Sequence, residues 1–230
     1  PAPGLSHEMA EAQQFSLPEL PVSINIGALE AETIRLGEPL LGEELSLTLS
    51  GALSLGGGEG AATLELARLD GRGGIMLDAG FDNESRVLKL DLAVDEAPGG
   101  IAATLLDLPG QPAIALTVKG EAPLSDYAAD LRLATDGTDR LTGRVTLAGS
   151  DDGTRFEARL DGDLTPLMAA EFRPFFGTES ALDVSGMRAA DGALGIDRLR
   201  LSAAQLSLEG TLALDAAGWP TRFDLAGRVG

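Results

Sequence analysis

The sequence predicts an all-β fold of antiparallel hairpins, and three observations lead to that prediction. Apolar and polar residues alternate along most of the chain after Pro21, as they do in strands with one apolar and one wet face. Dipeptides typical of tight turns separate the alternating runs. Glycines recur inside the runs, in phase with the apolar residues, where a strand bends or approaches a neighbour closely.

The alternation is clearest in LSLTLSGALSL, residues 45–55, where leucines hold every odd position except Gly51 and small or hydroxyl residues hold all the even ones. Each such run predicts one strand, and we expect about 14 to 17 strands in a continuous meander. The other runs are VSINI, GIMLDAGF, VLKLDLAV, AIALTVKG, YAADLRLA, LTGRVTLAG, RFEARLDG, ALDVSG, RLRLSAAQLSLEGTLALD and TRFDLAG.

Six turn dipeptides separate these runs and predict hairpin connections. They are Asp70-Gly71, Asp82-Asn83, Gly99-Gly100, Asp136-Gly137, Asp152-Gly153 and Asp191-Gly192.

Five in-phase glycines interrupt the apolar positions: Gly51, Gly120, Gly143, Gly186 and Gly210. Missing side chains on one face favour a sheet that curls toward that face. Ordinary bulges in a β-sandwich explain the same glycines equally well, so the pattern leaves both architectures open.

One stretch, DLTPLMAAEFRPFFG at residues 163–177, breaks the strand pattern. Thr165 is a suitable N-cap and Pro166 a suitable first helical residue. We expect one short helical break near 165–173, of about two turns, ending at Arg173-Pro174. Its apolar residues must pack on the apolar face, on a sheet edge or on lipid; they are Leu167, Phe172, Phe175 and Phe176. We expect the segment to lie against one margin as a cover or lateral gate, the alternative being a fixed lid over an edge.

Composition narrows the possible functions. The chain has 36 acidic and 17 basic residues and a formal charge of -19, which disfavours nucleic acid and anionic membrane surfaces as partners. It is 44% hydrophobic but only 4% aromatic, and such a leucine-rich, aromatic-poor β chain suits contact with something fluid better than a dense core. No apolar run is long enough for a transmembrane helix, so we expect any membrane anchor to lie outside this sequence.

The sequence offers no catalytic motif. There is no cysteine, and His7 is the single histidine, which excludes Ser-His-Asp and Cys-His arrangements and zinc sites that need those ligands. GGGEG at residues 56–60 is interpreted as a hairpin loop, and the Asp151-Asp152 pair as a solvated turn. The calcium-binding nonapeptide is absent. We therefore expect no enzyme, no catalytic residue, no metal and no cofactor.

Three stretches carry a family resemblance. They are LPELPVSINIGALEAETIRLGEPLLG (17–42), LARLDGRGGIMLDAGFDNESRVLKLDLAVDEAPGGIAATLLDLPGQPAIALTVKGEAPLSDYAADLRLATDG (66–137) and FRPFFG with LSLEGTLALDAAGWPTRFDL (172–225). They resemble the central periplasmic part of the TamB family of alphaproteobacteria, the translocation and assembly module subunit, which belongs with the AsmA-like and bridge-like lipid transfer proteins. The similarity extends over long stretches of sequence, and no single diagnostic motif carries it.

The resemblance implies a β-taco, a long curled antiparallel sheet with a hydrophobic interior. It implies an inner-membrane anchor, a span across the periplasm, a TamA-like outer-membrane partner that binds regions outside this chain, and transfer of phospholipids with support of outer-membrane biogenesis. Residues 1–18 are Pro-rich and aperiodic, which by itself predicts a linker or frayed entry segment. The resemblance makes residues 19–230 a continuous groove within a longer protein.

Under this reading, phospholipid acyl chains contact the in-phase apolar residues. The groove-lining candidates are Leu45, Leu47, Leu49, Leu53, Leu55, Leu64, Leu66, Ile75, Leu77, Leu88, Leu90, Leu92, Val94, Ile114, Leu116, Val118, Leu131, Leu133, Val145, Leu147, Phe156, Leu160, Leu206, Leu208, Leu212 and Leu214. Two alternatives stay open: a β-scaffold that assists outer-membrane protein assembly by strand augmentation, and a secreted adhesin or surface-layer domain. The fate of the apolar face, closed as a core or open as a channel, separates a conduit from a scaffold.

Overall fold

The structure is a computed structural model that describes residues 16–18, 21–37, 44–150 and 152–230. These residues form one antiparallel sheet of thirteen strands, each paired with its neighbours in sequence. The strands are β1 Ile24–Leu36, β2 Leu45–Gly56, β3 Glu59–Arg68, β4 Gly73–Asp82, β5 Val87–Glu96, β6 Ile114–Pro123, β7 Tyr127–Thr135, β8 Thr138–Ser150, β9 Gly153–Gly162, β10 Ser180–Ala189, β11 Leu194–Ser202, β12 Leu206–Leu214 and β13 Pro220–Val229. The predicted all-β curled sheet is confirmed, and the β-sandwich alternative is wrong because there is a single unclosed sheet.

The strand count is slightly lower than the expected one for a simple reason. β1 and β8 each run for 13 residues, longer than the usual five or six, so fewer strands use the same length of chain. All six turn dipeptides lie at or between strand ends: Asp82 ends β4 and Gly153 begins β9. Gly99-Gly100 differs from the prediction because it lies in a long connection that contains a short helix, not in a tight hairpin turn. Asp136 and Gly137 both have positive φ, 51° and 75°, which is the backbone of a type I′ hairpin turn.

The five in-phase glycines lie where neighbouring strands come too close for any side chain. A Cβ added at Gly51, Gly120, Gly143, Gly186 or Gly210 would lie within 3.0 Å of a backbone carbonyl oxygen of the next strand. In every case the added Cβ would project from the apolar side of the strand toward the neighbouring backbone. We infer that the sheet bends toward its apolar face at these positions, which makes that face concave.

The helical breaks differ from the expectation. Residues 163–177 contain a 3-10 turn at Thr165–Leu167 and a short helix, α2, at Arg173–Phe176, with no two-turn helix between them. Proline at the second position of α2 lies at the start of a helix rather than after its end, because its fixed φ and missing N–H suit the first turn. A second break, α1 at Ile101–Leu105, was not predicted. A further 3-10 turn spans Leu124–Asp126.

The helical insertions share one margin of the sheet. Successive antiparallel strands run in opposite directions, so alternate connections meet at the same margin. The β5–β6 connection (97–113) contains α1, and the β9–β10 connection (163–179) contains α2. We call this the helical margin; the opposite margin, with the β4–β5 and β8–β9 connections, is the turn margin.

The predicted linker lies mostly outside the described residues. Within residues 16–18, the Leu17 N–H donates to the side-chain oxygen of Asn83 at 2.8 Å, and the Asn83 side-chain amide donates back to the Leu17 carbonyl at 2.9 Å. This contact holds Leu17 on the β4–β5 connection.

The convex face carries ion pairs between neighbouring strands. Lys89 pairs with Asp78 at 2.7 Å and Lys119 with Asp91 at 2.9 Å, while Arg144 Nε lies 2.9 Å from Asp130. These side chains are well exposed to solvent, so the pairs contribute little to stability. They form a polar surface that alternates strictly with the apolar one.

Candidate functional site: the concave apolar face

The register aligns the apolar side chains of this face into four rows. One row is paired across all thirteen strands, two are interrupted between β6 and β7, and the fourth ends at Ser180 on β10. Because paired residues on neighbouring strands lie opposite each other, side chains of one row share a face. One central row consists of Leu29, Gly51, Leu64, Leu77, Leu92, Val118, Leu131, Gly143, Leu160, Leu182, Leu201, Leu208 and Gly227.

No Asp, Glu, Lys or Arg occurs in these four rows of described residues. The charged strand residues on this side lie outside the four rows, toward the ends of their strands; they are Arg68, Glu96, Arg188 and Arg140, the last in a bulge of β8 where its side chain bonds Thr135. Tyr127 and Ser180 are the polar members of the four rows. The concave face is therefore an uncharged apolar strip that runs the length of the sheet.

The structure places every groove-lining candidate on this face. Leu45 and Ile114 are buried, Leu53 and Ile75 are exposed, and the other candidates are half-buried. In a compact domain an apolar face of this kind is covered by a second layer and fully buried. Among the described residues no second sheet provides that layer, so the leucines line an open surface rather than a closed core.

Several residues of the same face were absent from the predicted lining. Bulges in β1 and β11 shift the phase of the alternation, between Ile26 and Leu29 and between Ile196 and Leu199. A strict period of two therefore misses residues on either side of a bulge. Others carry the alternation signal without being among the predicted lining residues; they include Phe81, Leu182, Val184 and Leu141, the last beside a bulge in β8.

Tyr127 is the one buried polar aromatic residue of the described face, which also buries Arg68, Thr135 and Ser180. It is 4% exposed, and its hydroxyl end lies over Gly120, where a Cβ would be 2.7 Å from the hydroxyl oxygen. That oxygen has no hydrogen-bond partner in the part of the chain that the structure describes. Burial raises the pKa of Tyr127 because the phenolate is poorly solvated there.

Both helical insertions fold over the concave face at the helical margin. The Glu96 carboxylate, which lies on this face, accepts the N–H groups of Ile101 and Ala102 at 3.2 and 2.8 Å. The Ser180 hydroxyl, also on this face, donates to the Phe176 carbonyl at 3.2 Å. These bonds place each insertion over the ends of the strands and cover one side of the concave face.

The second insertion only partly fulfils the expected aromatic packing. Phe175 and Phe176 are half-buried, whereas Phe172 remains 52% exposed. Glu171 and Arg173 are exposed, as expected. The position at a margin agrees with a cover, and the gate function stays a prediction.

The described residues contain no group of three or more side chains placed to share a metal ion. Among those same residues, no helix has the length and apolar character that a membrane crossing requires. No protein-family model, curated protein sequence or solved structure matches the chain.

Proposed function

We propose that the concave face is a groove that binds phospholipid acyl chains and lets them move along the sheet. The observation that supports it is the set of four uncharged apolar rows, half-exposed along their length. Removing each CH2 of an acyl chain from water contributes about 0.8 kcal/mol. Because the rows repeat similar side chains from strand to strand, this gain is nearly constant along the groove, which favours sliding over trapping.

The polar headgroups would stay at the open side of the groove, between the helical and turn margins. A headgroup placed among the leucines would lose its hydration without compensation. Acyl chains lying inward and headgroups lying outward match the distribution of polarity across the sheet.

The cellular setting of the proposal rests on the resemblance to the TamB family. We place the groove in the periplasm, within a protein anchored in the inner membrane, where it supports outer-membrane biogenesis with a TamA-like partner. In this proposal the partner binds other regions of a longer protein, outside these 230 residues.

Native mass spectrometry of the chain purified without detergent tests the proposal. We expect diacyl phospholipids to remain bound, in more than one copy per chain, because the rows offer many equivalent positions. Leu92→Arg and Ala93→Arg are matched variants, since the two residues lie side by side on β5 but on opposite faces. Loss of lipid in the Leu92 variant alone is expected; equal retention in both would refute the groove.

A specific observation supports the scaffold alternative. Among the described strands, β1 and β13 each have only one partner, and every residue of β13 is exposed. An unpaired edge strand is a template for β-augmentation. Proline substitutions that block pairing along the free edge of β13 would abolish a scaffold function and leave acyl-chain binding in the groove intact.

A further inference from the structure

A pocket of about 240 Å³ lies at the helical margin, where the two insertions meet over the β7–β8 turn. Prolines of the first insertion line one side, Thr165 and Arg173 of the second line another, and Thr135 and Arg140 form the sheet side. The volume far exceeds the roughly 10 to 15 Å³ of the same measure that one water needs. Thr135 belongs to the concave face, so the pocket adjoins the groove.

Two arginines line this pocket, Arg140 from the sheet and Arg173 from the second insertion. Arg140 Nε donates to the Thr135 hydroxyl at 2.7 Å, and Arg173 Nε donates to the Met168 carbonyl at 3.1 Å. The nearest ion-pair partner of Arg140 is Asp163, 3.9 Å from Nη1. The Nε bonds orient both side chains, while Nη2 of Arg140 and both Nη atoms of Arg173 have no partner among the described residues.

Asp136 lines the pocket and Asp163 lies beside Arg140, and one oxygen of each carboxylate accepts hydrogen bonds from local groups. Asp136 accepts the N–H of Ala113 at 3.0 Å. Asp163 accepts the N–H of Thr165 at 3.0 Å and also the Thr165 hydroxyl. Neither carboxylate forms a close salt bridge with the pocket arginines, in contrast to the close pairs of Lys89, Lys119 and Arg144 on the convex face.

We propose that this pocket binds a phosphate group through Arg140 and Arg173. The guanidinium fork matches the oxygens of a phosphate, and such charge-assisted hydrogen bonds are the strong ones. The phosphate is either the phosphodiester of a lipid whose chains lie in the groove or a free phosphate anion. The lipid source rests on the proposed function; the anion site does not.

The test measures how tightly the 230-residue protein and its Arg140→Gln/Arg173→Gln variant bind two lipids. The two lipids have the same acyl chains, but only one of them carries a phosphate. Dioleoylphosphatidylglycerol and dioleoylglycerol serve as the pair, and inorganic phosphate is titrated separately while the amide signals of Thr135 and Thr165 are followed by NMR. Arg144→Gln is the matched control, because Arg144 lies on the same strand but on the convex face. Arg140→Lys/Arg173→Lys keeps the charges and shows whether the fork geometry is required.

We expect the glutamine variant to lose affinity for phosphatidylglycerol about tenfold, with dioleoylglycerol binding unchanged and the control like the wild type. The lysine variant should fall between them. Shifts of the Thr135 and Thr165 signals by inorganic phosphate, without selectivity between the two lipids, would assign the site to free phosphate. Unchanged phosphatidylglycerol affinity together with no phosphate-induced shift would overturn the site.

Equal loss of both lipids would overturn the lipid-phosphate assignment, since the substitutions would then act on the groove itself. Failure of both lipids to bind wild type, with phosphate shifts present, would refute the groove and leave the anion site standing.

Discussion

The two faces of the sheet come from the same strands but meet opposite physical demands. The convex face alternates acids and bases across neighbouring strands, as in Asp78–Lys89 and Asp91–Lys119. The concave face holds uncharged apolar rows that remain half-exposed. A face that served only as a core would be covered, and a face that served only for solubility would be polar. An apolar face left open is expected where something outside the chain covers it.

The first prediction concerns the curvature that separates the two faces. Gly143→Ala should destabilise the fold by about 2 kcal/mol or more, because the new Cβ would collide with the backbone carbonyl of Arg159 on β9. Gly149, also on β8, has 3.8 Å between a new Cβ and the nearest atom, so Gly149→Ala should be neutral or slightly stabilising. Urea unfolding measures the free energy of unfolding of both variants. Equal values would contradict the close approach of β8 and β9 at Gly143.

The second prediction compares phospholipid binding after an arginine is introduced on each of the two faces. Leu92→Arg should reduce binding of a fluorescent phospholipid at least tenfold, because acyl chains cannot pass a charge without a cost of several kcal/mol. The chain should stay folded, since a long arginine at an open wall can reach water. Leu208→Arg should act similarly, and Ala93→Arg on the convex face should have little effect. Circular dichroism confirms the fold, and undiminished lipid binding by Leu92→Arg would count against the groove.

The third prediction uses the one tyrosine of the chain. Burial raises the pKa of Tyr127, so the folded state favours the neutral phenol relative to an unfolded value of about 10. The associated stability is complete below pH 10 and is lost as pH rises through the folded pKa. Absorbance at the tyrosinate band should show late titration, and Tyr127→Phe should remove this alkaline component of unfolding. Titration at the ordinary value would mean that the hydroxyl is in water.

The smallest expected effect belongs to the convex face. Asp130→Asn removes the partner of Arg144, and both side chains are more than half exposed. We expect the melting temperature to shift by less than about 2 °C, with the shift shrinking at high salt. A large loss would show that the ion pairs stabilise the sheet, contrary to the contrast drawn between the faces.

The alternation predicted the fold because a strand places successive side chains on opposite faces whatever the tertiary context. It failed to find the lining near bulges, since an inserted residue reverses the phase, as after Ile26. The in-phase glycines favoured a curved sheet, because a residue without Cβ allows the neighbouring strand to come close. The groove's role and its lipid ligands stay predictions.

The helical insertions were harder to predict for two physical reasons. Arg173-Pro174 in the sequence predicts a helix end, yet proline suits the first turn of a helix equally well. α1 has 5 residues, too few to show helical periodicity. The pocket between the insertions was not predictable, because Arg140 and Arg173 are distant in sequence and meet only through the sheet and its margin.

The most direct test of the central claim is site-specific photocrosslinking in cells along neighbouring positions of opposite face. Three concave positions are compared with their convex neighbours: Leu47 with Thr48, Leu90 with Lys89, and Leu133 with Arg132. The account predicts that probes at Leu47, Leu90 and Leu133 capture phospholipid, and that their neighbours capture far less. Equal capture from both faces would contradict the groove.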